Sequence, residues 1–173
     1  MQGFKYTLSW DNDFTGVDNA PAGFSDRSAR TKANVTLDPK MIAKRNAGEK
    51  EYYFQPDTVV VIVKTDKPNS WAVNDLKTDK LLAHEQLHYN IAALAGRDLE
   101  RKVLALRNTD GKALIAEKEA LGKAVQTEID NINKEYDEGM KGTDHGKKAA
   151  EQAKWELHIN GLMSKPDGEL KGI

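Results

Sequence analysis

The sequence predicts an α+β fold, strands first and helices after, on three observations. Up to about residue 75, short apolar stretches alternate with turn-forming residues. From Thr78 the apolar residues recur at a spacing near 3.6. The pattern changes once and does not return to strand spacing. The expected unit is one domain spanning 1–173, mainly β over 1–75 and mainly α over 76–165.

Taken in order, "FKYTLSW" alternates apolar and polar residues and predicts a strand over 4–10. "DNDFTGVDNAPAGFSD" reads as a loop from its Asp, Asn, Gly and Pro content. "ARTKANVTL" predicts a strand that stops at Asp38-Pro39, and "TVVVIVKT", a continuous apolar run between Pro56 and Pro68, predicts the central strand. Thr78 is placed to cap a helix, Asp79 suits its positive end, and Leu82, Ile91, Ala95, Leu99 and Val103 carry the helical spacing to about Asn108. "NTDGK" breaks that helix. A second amphipathic segment runs from Ala113 to about Tyr136 and predicts an antiparallel helical hairpin with the first. After the Gly-rich stretch "EGMKGTDHGK", a third helix is predicted from Lys147 to about Met163, with only the last few residues disordered.

Composition excludes several function classes. Charged residues make up 31% of the chain and balance to a net charge of -1, which gives no reason to expect nucleic acid or an anionic membrane as partner. The longest apolar run, Val59 to Val63, is far too short to span a bilayer, and the N-terminal residues lack the apolar core of a signal peptide. A soluble chain is expected, and a leader already removed is compatible with it. With no cysteine there are no disulfides and no thiolate ligands, so any metal is held by nitrogen and oxygen.

The chemistry concentrates in "LLAHEQLHYN". His84 and His88, four residues apart, project from one face of a helix and are spaced to reach one ion. Glu85 lies one step round the helix, placed to take a proton from water beside that ion. The H-E-x-x-H pattern is therefore two ligands and a base within one turn. A catalytic zinc needs a third protein ligand. Ile91 and Leu94 stand where a nearby Gly and His would continue the motif, and Glu100 and Glu156 have no distinctive setting. His145 remains the best candidate, flanked by Gly142 and Gly146, with Asp144 and Thr143 beside it either to orient a ligand or to cap the last helix. His158, the fourth histidine, falls mid-helix and reads as an ordinary helical residue or a residue near the site.

The segments "PNSWAV", "LLAHEQLHYNIAALAGRDL" and "YDEGMKGTDHGKKAAEQAKWELHI" together resemble a bacterial family described as predicted secreted or periplasmic zinc-dependent proteases of the zincin type, over about residues 69–159. The resemblance implies Zn2+ as cofactor, His84 and His88 as ligands, Glu85 as base, and Thr143 to Gly146 as the family loop. His145 as third ligand follows from that loop together with the chemistry. It also implies export to the periplasm or medium. Leu87 and Tyr89 stand where Gly and Phe are expected, and Met140 and Lys141 lengthen the approach to the loop.

The expected activity is hydrolysis of peptide bonds in a protein or peptide substrate by metal-activated water, with Tyr136, Tyr89 or His158 as stabiliser of the oxyanion and Tyr136 preferred for its nearness to the loop. Trp71 and Trp155 are expected to pack around the site. The alternatives are a non-catalytic module that binds a partner through the charged hairpin of residues 97–138, and hydrolysis of a non-peptide amide by the same residues. The intact Glu85 favours an enzyme.

Overall fold

The computed structural model describes residues 6–165 and 167–170. The chain runs through a helical turn α1 (Trp10–Asp13), strands β1 (Thr15–Val17), β2 (Ala29–Arg30), β3 (Ala33–Lys44), β4 (Tyr53–Thr65) and β5 (Trp71–Val73), then helices α2 (Asp79–Leu104), α3 (Gly111–Glu138) and α4 (Ala149–Ser164). The fold class is α+β, strands preceding helices.

The strands form two small sheets in place of one. β5 is central to the first, parallel to β1 and antiparallel to β2, and Ala72 at its middle is fully buried. β3 and β4 form a separate antiparallel ribbon. The apolar run of β4 is therefore no central strand. Val59, Val61 and Val63 face the core while Val60 and Ile62 are 52% and 41% exposed, because a two-stranded ribbon can bury only one face. β3 continues past Asp38-Pro39 to Lys44, with Pro39 opposite Val59. Each strand of a ribbon has one side without a partner strand, where a residue lacking an N–H is tolerated.

The predicted first strand begins outside the described residues, and residues 6–9 form none. Their polar backbone groups go to a side chain: the Leu8 N–H donates to Gln86 Oε1 (2.8 Å) and Gln86 Nε2 donates to the Tyr6 carbonyl (2.9 Å). The predicted loop over 11–26 contains most of α1, capped by Ser9, and all of β1. β5, a strand of three residues, has no alternation long enough to be read in advance.

The helices fall close to their predicted spans. The Thr78 hydroxyl accepts from the Leu81 N–H (3.1 Å), so α2 starts at Asp79, after a short 3-10 turn (Asn74–Leu76) that follows β5. It stops at Leu104, short of Asn108, because Asn108 exchanges backbone hydrogen bonds with Phe54 at the end of the ribbon (2.7 and 3.0 Å) and draws the chain away. α2 is the core of the molecule. Ile91, Ala92, Ala93, Leu94 and Ala95 are all essentially inaccessible, so this helix is covered on every side, by the ribbon, α3 and α4. α3 runs back along α2, which sets the residues near its end against those near the start of α2. No helix among the described residues is long and apolar enough to cross a membrane.

α4 is fastened at its C-terminal end by a buried cation. Arg97 donates to the carbonyls of Leu162 (3.1 Å) and Lys165 (2.9 Å), which also accept the Lys165 and Gly168 N–H groups, and so places its charge at the negative end of the helix. The adjacent Asp98 pairs with Arg101 and accepts from the Leu170 N–H. Leu170 is buried, so the predicted disorder of the tail does not include it, and residues 171–173 lie outside the described residues. Replacing Arg97 by alanine is expected to cost about 1.5–3 kcal/mol, the range for hydrogen bonds from a charged donor, measured as a lower urea midpoint.

Candidate metal centre and its cleft

Three buried side chains converge where α2 and α3 meet. His84 Nε2 and His88 Nε2 lie 3.3 Å apart, and Asp137 Oδ1 lies 3.2 Å from the first and 3.1 Å from the second. That oxygen is buried without a well-formed hydrogen bond. Two imidazole nitrogens and a carboxylate oxygen at these separations match the edge of a tetrahedron around a small cation, about 3.3 Å for bonds of about 2.0–2.1 Å. The group can hold a metal ion.

Both imidazoles are fixed from behind. His84 Nδ1 lies 3.1 Å from Gln152 Oε1, which also accepts from the Tyr136 hydroxyl at 2.7 Å. Gln152 Nε2 donates to Glu156 Oε1 (2.9 Å), which orients the amide with its oxygen toward His84. His84 Nδ1 therefore carries a proton, and Nε2 presents its lone pair toward Asp137. His88 Nδ1 faces Asn133 Oδ1 at 2.9 Å in the same way. Partners of this kind fix the tautomer and aim of metal-binding histidines. Glycine is required at 146: with φ +80° it lies against the His84 ring, and an added Cβ would meet Cγ at 3.2 Å.

The electrostatics couple Asp137 to both imidazoles. Burial opposes charge on His88, but the facing Asp137 carboxylate outweighs it and raises the imidazole pKa to about 9. Burial would raise Asp137 too, yet the positive charge of His88 and the contacts with both imidazoles hold its carboxyl well below the usual carboxylate range. A folded pKa above the unfolded 6.5 means that this proton stabilises the metal-free fold fully below pH 6.5, and that the gain is lost as pH rises through about 9. A metal must displace the same proton. Metal affinity is thus expected to rise by up to about tenfold per pH unit until about pH 9, while metal-free thermal stability falls over 6.5–9. Titration calorimetry in buffers of different ionisation enthalpy, which counts the protons released, checks the first sign, and thermal melts of the metal-free protein across about pH 6.5–9 check the second.

The group lies in a cleft of about 310 Å³, roughly the lower bound for small-ligand sites. Glu85 also lines it, buried, with Oε2 accepting from the Thr31 hydroxyl at 2.7 Å. His145 lines it as well but stands one step outside the triplet. Its Nδ1 is 3.5 Å from Asp137 Oδ2 and its Nε2 3.3 Å from Asp26 Oδ2. His145 adopts a left-handed φ of 53°, as does Asp144 at 51°, a conformation uncommon outside glycine.

The remaining expected site residues are placed as follows. Tyr136 is buried with its ring stacked on His84 at 4.7 Å, and its hydroxyl is held by Gln152, so it buttresses the imidazole from outside the cleft. Tyr89 is turned to the ribbon, donating to the Val63 carbonyl. Trp155 packs edge-on against Tyr136 at 5.2 Å, and Trp71 packs against Phe24. Thr143 is buried and donates to the Tyr136 carbonyl, while its oxygen accepts from the Gly146 N–H. Asp144 faces solvent, paired with Lys147, and neither it nor Thr143 caps α4 through its side chain. His158 is exposed on α4, away from the centre.

Residues 63–160 match the family described as "Bacterial protein of unknown function (DUF922)". The chain belongs to that family. The matched segment contains His84, Glu85, His88, Asn133, Asp137, His145 and Gln152, whereas Arg30 and Thr31 of the opposite wall precede it. Comparison with curated proteins and with solved structures returns no significant match.

Asp137, Asn133 and Gln152 are the residues that sequence reasoning missed. Asp137 lies one step round the helix from the buried stripe of Val125, Ile129 and Tyr136, so helix periodicity alone does not assign it to the buried face.

Proposed function

We propose that this protein is a zinc-dependent peptidase in which His84, His88 and Asp137 hold the metal and Glu85 is the general base. The observation that carries the reading is one buried cluster, opening on a cleft, that joins a two-nitrogen, one-oxygen donor set to an adjacent carboxylate. That set suits zinc, which binds three protein ligands in catalytic sites and keeps a position for water. Bound there, zinc would polarise a scissile carbonyl and acidify water.

The chain's own residues would do the rest. Glu85, aimed by Thr31, receives a proton from water in the cleft and delivers it to the departing amine. His145, set between Asp137 and Asp26 through its two ring nitrogens, fixes the outer oxygen of Asp137. This assignment moves His145 from third ligand to the partner of that ligand. Export, which rests on the resemblance of residues 69–159, is part of the same proposal.

The test is cleavage of unfolded casein by zinc-loaded protein, by chelator-stripped protein, and by stripped protein with zinc restored. Cleavage that disappears and returns with zinc supports the reading. Equal cleavage in all three samples, or none in any, contradicts it.

A further inference from the structure

The charges around the cleft are unevenly paired. Four carboxylates line it, and each has a partner: Asp137 faces the imidazoles, Glu138 takes Arg27 (2.7 Å), Glu85 takes Thr31, and Asp130 takes the Gln126 amide (3.0 Å). Among the cations only Arg27 is engaged in this way. Arg30, Lys32 and Lys134 line the same cleft without an ion pair or side-chain hydrogen bond among the described residues. Lysines at a surface are ordinarily solvated, so the weight falls on Arg30.

Arg30 is held in place without its donors being used. Its guanidinium carbon lies 4.9 Å from the centre of the Phe24 ring, and Phe24 rests edge-on against Trp71, which is buried. The residue is half-buried at the end of β2, directly before the Thr31 that anchors Glu85. A guanidinium stacked in this way keeps its planar fork of N–H groups free, the geometry that receives a carboxylate through two parallel hydrogen bonds.

We infer that Arg30 is a specificity residue that selects peptides carrying a glutamate or aspartate side chain beside the Glu85 end of the cleft. The inference deepens the peptidase reading and rests on it for the word substrate, although the cationic wall itself does not depend on a metal. Arg30 receives the acidic side chain while Lys32 and Lys134 bias the approach of an anionic segment.

The experiment titrates two capped pentapeptides, identical except for a central Glu or Gln, into metal-free wild type, zinc-loaded Glu85→Gln, and the Arg30→Gln and Arg30→Lys variants, at low and high salt. Circular dichroism controls for folding. The Glu peptide is expected to bind about tenfold more tightly than the Gln peptide at low salt, with a ratio near one in Arg30→Gln and a partly kept ratio in Arg30→Lys. Equal binding of both peptides to wild type, an unchanged ratio in Arg30→Gln, or no binding of either peptide at millimolar concentration overturns the inference. If the preference is present but zinc-dependent casein cleavage is not, the peptidase reading fails and the acidic-peptide cleft stands. Cleavage without the preference has the opposite meaning.

Discussion

Asp137→Ala is expected to weaken zinc binding by on the order of 10²–10³-fold. In structural zinc sites with four protein ligands, a binding free energy of about 10–16 kcal/mol corresponds to about 3 kcal/mol per ligand. Asp137 has a second role that sets it apart from an ordinary ligand, since it is the group that raises His88 to about 9. In the alanine variant that imidazole should titrate at lower pH, so the pH dependence of the remaining affinity shifts down as well. His145→Ala is the decisive comparison. With His145 acting through the outer oxygen of Asp137, its loss is expected to cost about 10–100-fold, the usual effect of a residue that positions a ligand. Competition titration against a chromophoric chelator measures both variants. A larger loss in His145→Ala than in Asp137→Ala would return His145 to the role of third ligand.

Glu85→Gln is expected to reduce peptide hydrolysis by about 10³-fold or more while leaving zinc affinity within a few-fold of wild type. Glutamine keeps the shape and can still accept from Thr31, but it cannot take a proton. Its carboxylate is absent from the converging triplet, so metal retention follows from the geometry. Initial rates on casein, beside zinc content for each sample, separate the two effects. Loss of zinc together with activity would mean that Glu85 helps to hold the metal, and unchanged activity would remove the general base from the mechanism.

The helices were legible in advance because their signals are local. A 3.6-residue spacing and a Thr78 cap need no knowledge of distant residues, and the H-E-x-x-H segment brings its two imidazoles together by helix geometry alone. Sheet partners are not local. The apolar run of β4 is compatible with a central strand or with one face of a ribbon, and only the packing of α2 beneath it decides. Pro39 looked like a strand terminator because its effect depends on which side of the strand has a neighbour. The centre divides along the same line. His84, Glu85 and His88 share one turn, whereas Asp137 arrives from the far end of α3, 49 positions beyond His88 in sequence, and is positioned by the fold of the hairpin. His145 was chosen for its glycine-flanked loop. That loop does bring it to the centre, against the outer oxygen of Asp137.

The most direct test of the account is the zinc stoichiometry and affinity of the wild-type chain measured beside His84→Ala, His88→Ala and Asp137→Ala. One zinc per chain with a dissociation constant below about 10⁻⁷ M, weakened by about 10²-fold or more in each variant, is the expected result. Zinc bound with unchanged affinity in any of the three, or no zinc bound by the wild type, would contradict a metal centre built from these residues.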